Sequence, residues 1–522
     1  DQELDQTRDL VRRAKTLGYT GLALITGRDF TAWTEAEAND GSNAFVGRNV
    51  SLEAPWRMPL ARQTRFRELA AFCREQTFDL VPLIWSVGYC SMQYADSSLV
   101  AVWPVRDVPY VVKGGRGIFA AEAVSCDTSA LDCVIDCTKK TGRARTVKFP
   151  VRPARKYRIS AQVRTEGVEK APKPGQVGPI LGIAASSVKS GHYLASHTPY
   201  LQPTQDWTDV GFTLLTRDTD EDKEVTLCVS DAADEKGFTS FRNVRIEELG
   251  IEYPIRRVGT TFVVKDEETG RIFKEGIDYE TVSSFGFLSF DRRDPAFELK
   301  VLSGGAITDG MRLLVSAYEP KSVYGDQHSA CLSNPELPRY YRRSAAALHR
   351  MLDNRKWFLS ADEFRVGCAC ESCRASGKTM GELFGETIRA QRDAIRAVCP
   401  DADICMWSDM IDDNHNAIKN YYLLYSPNRG GLQHVPRDIT VMCWWGAKAS
   451  VCLPFFESHG FRTMGAGFYD AETEVATRAS ATAWAEAAAR RFGFRGFMYT
   501  TWDYGIGCNH AFIAPWIGEL RH

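Results

Sequence analysis

The sequence predicts an α/β protein: a (β/α)8 TIM-type barrel interrupted by a large all-β insertion, a β-sandwich of jelly-roll type plus a small β unit. Three observations carry this prediction. Helix-period and buried-strand segments alternate in residues 1–113 and again in 320–522, which a parallel sheet requires. Between them, the chain has only short alternating runs punctuated by turns. At 522 residues it is also too long for one ordinary domain.

The elements follow in order. Leu4, Leu10, Val11, Ala14 and Leu17 mark one face of a helix over 3–18, which Gly18 ends. The apolar run after Tyr19 reads as a buried strand. A helix at about 62–76 leads to a second strand, Phe78 to Gly88. Gly114-Gly115-Arg116-Gly117 reads as a boundary. Residues 114–250 then carry sandwich-type strands at Lys156–Arg164, Trp207–Phe212 and Val225–Val229. Together with the Asp206-Trp207 turn and Phe241–Ile246, they resemble jelly-roll carbohydrate-binding modules. Residues 251–319 form a small β unit in which Asp309-Gly310 precedes an apolar alternation, as in hairpins. From 320 onward, helices at about 336–352, 378–398 and 473–491 separate strands beginning near 357, 403, 439, 462 and 496. That makes seven barrel strands where eight are needed. Either the first lies before Asp1, the reading preferred because the chain opens on a helix, or Leu313–Tyr318 completes the ring.

Composition narrows the function. The net charge of −2 and the lack of any basic cluster interleaved with aromatics argue against nucleic-acid binding. No apolar run is long enough to span a bilayer. Asp1 begins without a charged n-region or an apolar h-region, so a signal peptide is already removed or was never present. A secreted, periplasmic or cytoplasmic location is compatible with this, as is a homo-oligomer. The 15 cysteines cannot all pair within the chain. Cys405, Cys443 and Cys452 sit in apolar runs and read as small buried hydrophobes, while Cys126, Cys133 and Cys137 have spacings open to a disulfide. Cys368, Cys370 and Cys373 place three thiols in six residues, but the motif lacks a fourth ligand. Packing or a local disulfide is therefore expected, with no metal and no cofactor.

The chemistry concentrates at the strand ends. Trp357-Phe358-Leu359-Ser360-Ala361 runs into Asp362 and Glu363, adjacent carboxylates that strand alternation turns to different surroundings. Other strand ends carry Trp85; Trp407 and Asp409, with His415 in the loop that follows; Trp444 and Trp445; Tyr469 and Asp470; and Trp502 and Asp503. Tyr504, Asn509 and His510 are weaker candidates. Carboxylates gathered at one rim repel each other unless they are used. A glycosidase needs an acid for the leaving oxygen, a negative partner for the oxocarbenium-like centre, and aromatic walls for the sugar ring. An oligosaccharide or glycoside is the expected ligand.

Beyond this residue reading, the barrel segments resemble family 20 glycoside hydrolases, the exo-acting β-N-acetylhexosaminidases. Leu359-Ser360-Ala361-Asp362-Glu363 looks like the family's Gly-Gly-Asp-Glu strand, preceded by a matching Asn334-Pro335-Glu336 and helix. Val81-Pro82-Leu83-Ile84 resembles its third strand, although the family's His is missing from Trp85-Ser86-Val87-Gly88-Tyr89. Tyr469 and Asp470 are adjacent where the family has one residue between them, and the family's first-strand arginine has no counterpart here. The resemblance implies substrate-assisted catalysis: Glu363 as general acid, Asp362 orienting the 2-acetamido group, Tyr469 steadying its carbonyl, and Trp407, Trp444 or Trp445, Asp470 and Trp502 cradling the sugar. For a substrate without that group, Asp470 or Asp409 would be the nucleophile, as in a β-galactosidase-like enzyme. A catalytically inert carbohydrate-binding scaffold is the alternative from another class.

Overall fold

A computed structural model describes residues 2–25, 54–88, 96–139, 141, 144–169, 181–189, 193–197, 202–219, 223–231, 236–284, 295–323, 327–468, 474–489 and 493–500. Its centre is one seven-stranded sheet, with every neighbouring pair parallel. The strands run in chain order: β1 Gly21–Ile25, β2 Asp79–Ile84, β3 Lys356–Leu359, β4 Asp403–Trp407, β5 Thr440–Cys443, β6 Arg462–Phe468 and β7 Phe494–Thr500. These are the seven segments read from the sequence as barrel strands.

The sheet curls. Laid flat, six spacings of about 4.8 Å would separate its edges by about 29 Å. Instead, Tyr499 in β7 acts electrostatically on Tyr19, two residues before β1. The inner face contributes Ala23, Leu83, Phe358, Trp407, Met442, Ala466 and Met498 to one apolar cluster. The alternate residues, such as Ile84, Trp357, Leu359, Met406 and Val441, face the other way into the larger core shared with the helices. Those helices are α1 Gln2–Thr16, α2 Leu60–Glu75, α3 Leu337–Leu352, α4 Met380–Arg396, α5 Ala449–Ser458 and α6 Glu474–Ala488. In α3, Leu337, Tyr340, Tyr341, Ser344, Leu348 and Met351 recur at three- and four-residue spacing and are buried. Helix α4 begins in a capping box: the Thr379 side chain accepts from Glu382 N–H while Glu382 accepts from Thr379 N–H.

The all-β part departs from the predicted boundaries. Gly114 and Gly115, at φ 59° and 73°, do not divide domains. They turn a hairpin between Val102–Lys113 and Arg116–Phe119, with both N–H groups held by the Asp309 carboxylate at 2.9 and 3.0 Å. Both strands lie in a six-stranded sheet with Val263–Asp266, Ile272–Phe273, Leu299–Lys300 and Arg312–Pro320. The small β unit therefore takes in residues from 102 onward. Arg312–Pro320 pairs antiparallel with Val102–Lys113, so Leu313–Tyr318 is no member of the parallel sheet. The sandwich is present as two four-stranded sheets around one core that includes Ile159, Phe212, Leu227 and Phe241. At its base the buried Lys156 ammonium pairs with Glu252 and, at 3.2 Å, with Glu319.

Candidate active site

β3 brings the acids to the strand ends. Ser360 N–H still bonds to Ile84 C=O at 2.9 Å, extending the ladder past Leu359. Alternation from inward-facing Phe358 carries Ser360 and Asp362 to the inner side, and the Ser360 hydroxyl donates to Asp362 Oδ1 at 3.2 Å. Glu363 then adopts φ 44°, a left-handed conformation uncommon outside glycine. Several contacts hold it there. Its N–H donates to Asp409 Oδ2 at 3.0 Å, and its carboxylate pairs with Arg365 at 2.7 Å. Gln327 bridges the Gly88 and Glu363 carbonyls at 3.2 and 3.4 Å while accepting from Arg365 at 2.5 Å. Gly88 comes so close that a Cβ there would lie 2.0 Å from the Asp362 carbonyl oxygen.

Three carboxylates thus share one site. Burial, then the charges of Asp409 and Glu363, push Asp362 up to about 8. Burial pushes Asp409 up to about 6, helped by the Glu363 charge and opposed by the Glu363 N–H, Asn416 and Trp444. Asp409 is completely buried, and its Oδ2 also accepts from Asn416 at 2.8 Å. It braces Glu363 from behind rather than lining an open surface. The Glu363 side chain remains 22 % exposed.

Beyond the acids stands an aromatic wall. The His415 ring lies 4.5 Å from Trp444 and 4.6 Å from Trp445 between centroids, and Trp445 is 39 % exposed. Burial lowers the His415 pKa against the opposing pull of Asp412 and Glu363. Trp407 is buried in the inner cluster, 4.8 Å from Phe358, and so forms floor rather than wall. Trp85 is a correction. At φ 54° it turns its ring outward to α3, where it donates to Ser344 Oγ at 3.0 Å and packs on Tyr341 at 4.9 Å, fully buried. Tyr469, Asp470, Trp502, Asp503, Tyr504, Asn509 and His510 lie outside the described residues.

Sequence reasoning gave no role to Arg365, Gln327, Asn416 or Tyr421. Arg365 stands in the acid-bearing stretch itself and carried a signal in its position two residues past Glu363. Gln327 and Asn416 act through long-range hydrogen bonds that leave no local pattern. Tyr421, buried, has its pKa raised by burial and by the charge of Asp409. No disulfide joins Cys126, Cys133, Cys137, Cys368, Cys370 or Cys373, so the pairing that their spacings left open is not formed, and Cys368, Cys370 and Cys373 are buried thiols.

No protein-family model and no curated protein matches the chain. Among solved structures it shows weak, partial similarity to carbohydrate-binding modules and glycoside hydrolases. A family 4 carbohydrate-binding module is 15 % identical, over 26 % of this chain and 73 % of that one, at a TM-score of 0.16. The β-N-acetylhexosaminidase of Bacteroides fragilis NCTC 9343 is 15 % identical, over 28 % of this chain and 26 % of that one, at 0.21. A family 20 exo-β-N-acetylglucosaminidase from Vibrio harveyi is 12 % identical, over 38 % and 32 % of the two chains, at 0.25. The chain thus spans about a third or less of these two enzymes, and scores this low establish no shared fold.

Proposed function

We propose that this protein is an exo-acting glycoside hydrolase that removes a terminal β-linked sugar, with a β-N-acetylhexosaminide as its substrate and the curled sheet as part of a (β/α)8 barrel. The observation that carries the reading is the cluster of acids at the strand ends: Asp362 and Asp409 hold protons to unusually high pH beside the partly exposed Glu363 and the Trp444–Trp445–His415 wall. Hydrolysing a glycoside near neutrality requires a carboxyl that still has a proton to give. Asp362 and Asp409 act on each other's charge and so titrate together rather than as independent groups.

In this reading the partly exposed Glu363 protonates the glycosidic oxygen. Asp362, on the inner side, orients the 2-acetamido group, whose carbonyl oxygen attacks the anomeric carbon. Tyr469 steadies that carbonyl. Asp409 and Arg365 position Glu363, while Trp444, Trp445 and His415 supply a face for the sugar ring, with Asp470, Trp502 and Asp503 as further contacts. The sandwich serves as a carbohydrate-binding module.

The test is a panel of nitrophenyl β-glycosides with and without the 2-acetamido group, assayed on the whole protein. The acetamido substrates should be cleaved, and Glu363→Gln should lower kcat by about 10²–10⁴-fold with little change in KM. Cleavage of the plain hexosides alone would move the assignment to a β-galactosidase-like enzyme with a protein nucleophile. Binding of glycans with no turnover, unchanged in Glu363→Gln, would leave only the inert scaffold.

A further inference from the structure

The cysteine motif that follows the acids is completed in space. Cys368-Ala-Cys370-Glu-Ser-Cys373 begins five residues past Glu363. Cys331, on the segment leading into α3, meets it from a different part of the chain. Its Sγ lies 3.6 Å from that of Cys370 and 4.0 Å from that of Cys373. The three sulfurs fall within 4.8 Å of one another. Cys368 stands outside that group of three: it interacts with Cys373, and its sulfur rests 3.4 Å from Met380 Sδ. All four residues are buried.

These spacings distinguish between ways of using four thiols. A disulfide requires sulfurs about 2.0 Å apart, and none of the four is bonded. A zinc ion bound at about 2.3 Å to each of four tetrahedral sulfurs places them about 3.8 Å apart. The observed 3.6 and 4.0 Å bracket that edge. Thiolates are soft donors and favour zinc over magnesium or calcium. A hydrogen-bond donor to the thiolates is also in place: Ser333 Oγ lies 2.9 Å from Cys373 Sγ and 3.7 Å from Cys370 Sγ. Arg257 stands close enough to act electrostatically on Cys331, a positive charge beside what would be a doubly negative tetrathiolate centre.

We propose that Cys331, Cys370 and Cys373 bind one structural zinc ion, with Cys368 turning from Met380 to complete the tetrahedron, and that the ion staples the loop behind the acids to the segment that carries Gln327. The two connections are close neighbours along the chain. Arg365 is three residues before Cys368 and Gln327 four before Cys331, and their side chains are hydrogen-bonded at 2.5 Å. The metal and that hydrogen bond therefore close a small ring of chain beside Glu363, whose carboxylate Arg365 holds at 2.7 Å. The ion has no open position and takes no part in chemistry; it acts by fixing the backbone.

The experiment measures metal in the full-length protein, purified from zinc-containing medium, and needs no sugar. Elemental analysis should find about one zinc per chain, falling below about a tenth in Cys331→Ser and in Cys370→Ser. Cobalt substituted for zinc in the wild-type protein should show the intense visible absorption of a tetrahedral thiolate site, whether or not the variants fold. Chelation should lower Tm. Less than a tenth of a zinc per wild-type chain would overturn the proposal, as would iron in place of zinc or a cobalt spectrum without thiolate character. Failure of the glycosidase reading would leave this measurement untouched.

Discussion

At Asp362, burial and two neighbouring negative charges all act to keep the carboxyl protonated, up to about pH 8. An unfolded Asp releases its proton near 3.9. The folded protein therefore binds the extra proton between those values, and stability falls as pH rises through that window. Asp409, held to about 6, adds a decline of the same sign over the lower part of the range. Replacing Asp362 by Asn removes the larger titration. The variant should match or exceed the wild type in thermal stability, with an advantage that widens from about pH 4 to about pH 8 and exceeds about 1 kcal/mol at the upper end. A pH-independent difference between the two melting curves would show that Asp362 is not buried against its neighbours as described.

At the scale of elements, the close approach of β2 to β3 beyond their last paired residues sets the site. A methyl group at position 88 would meet the Asp362 backbone, which no rotamer change can move aside. Gly88→Ala should therefore cost about 2–4 kcal/mol and abolish activity. Gly114→Ala, strained only by its positive φ in open space, should cost about 1–2 kcal/mol and leave activity alone. Equal effects in denaturant titrations would refute the role given to Gly88. The same elements show what sequence could reveal. Strands buried on both faces leave apolar runs, and a carboxylate pair ending such a run stands out, so β1–β7 and the Asp362–Glu363 pair were legible. Alternation could not place Trp85, because a left-handed residue at a strand end reverses the side on which its ring lands. The double glycine at 114 looked like a linker because a tight hairpin uses the same residues. Cys331 was invisible as a fourth thiol because it lies 37 positions before Cys368 and only folding unites them.

At the scale of the molecule, the sandwich meets the small β unit through Lys156, Glu252 and Glu319. Glu319 is almost wholly buried; besides Lys156 it accepts the backbone N–H of Glu252, at 2.6 Å, and of Tyr253. Glu319→Ala would leave the buried ammonium with Glu252 alone and two amide donors without their acceptor, and should cost about 3–5 kcal/mol. Glu319→Gln, which keeps the acceptor oxygen, should cost less. If both variants melt within about 1 kcal/mol of the wild type, the junction is held by other contacts.

The β2–β3 pairing also has a consequence for biosynthesis. Ile84 sits beside Leu359, and everything between them must be made before the two can meet. At about 5–20 residues per second, a ribosome needs roughly 15–55 s to cover that interval. Throughout that delay the nascent β2 carries an unmatched, apolar edge. The pairing of Val102 with Pro320 prepares its end, because zipping the two ends of the excursion together returns the growing chain to the spot where β3 is due.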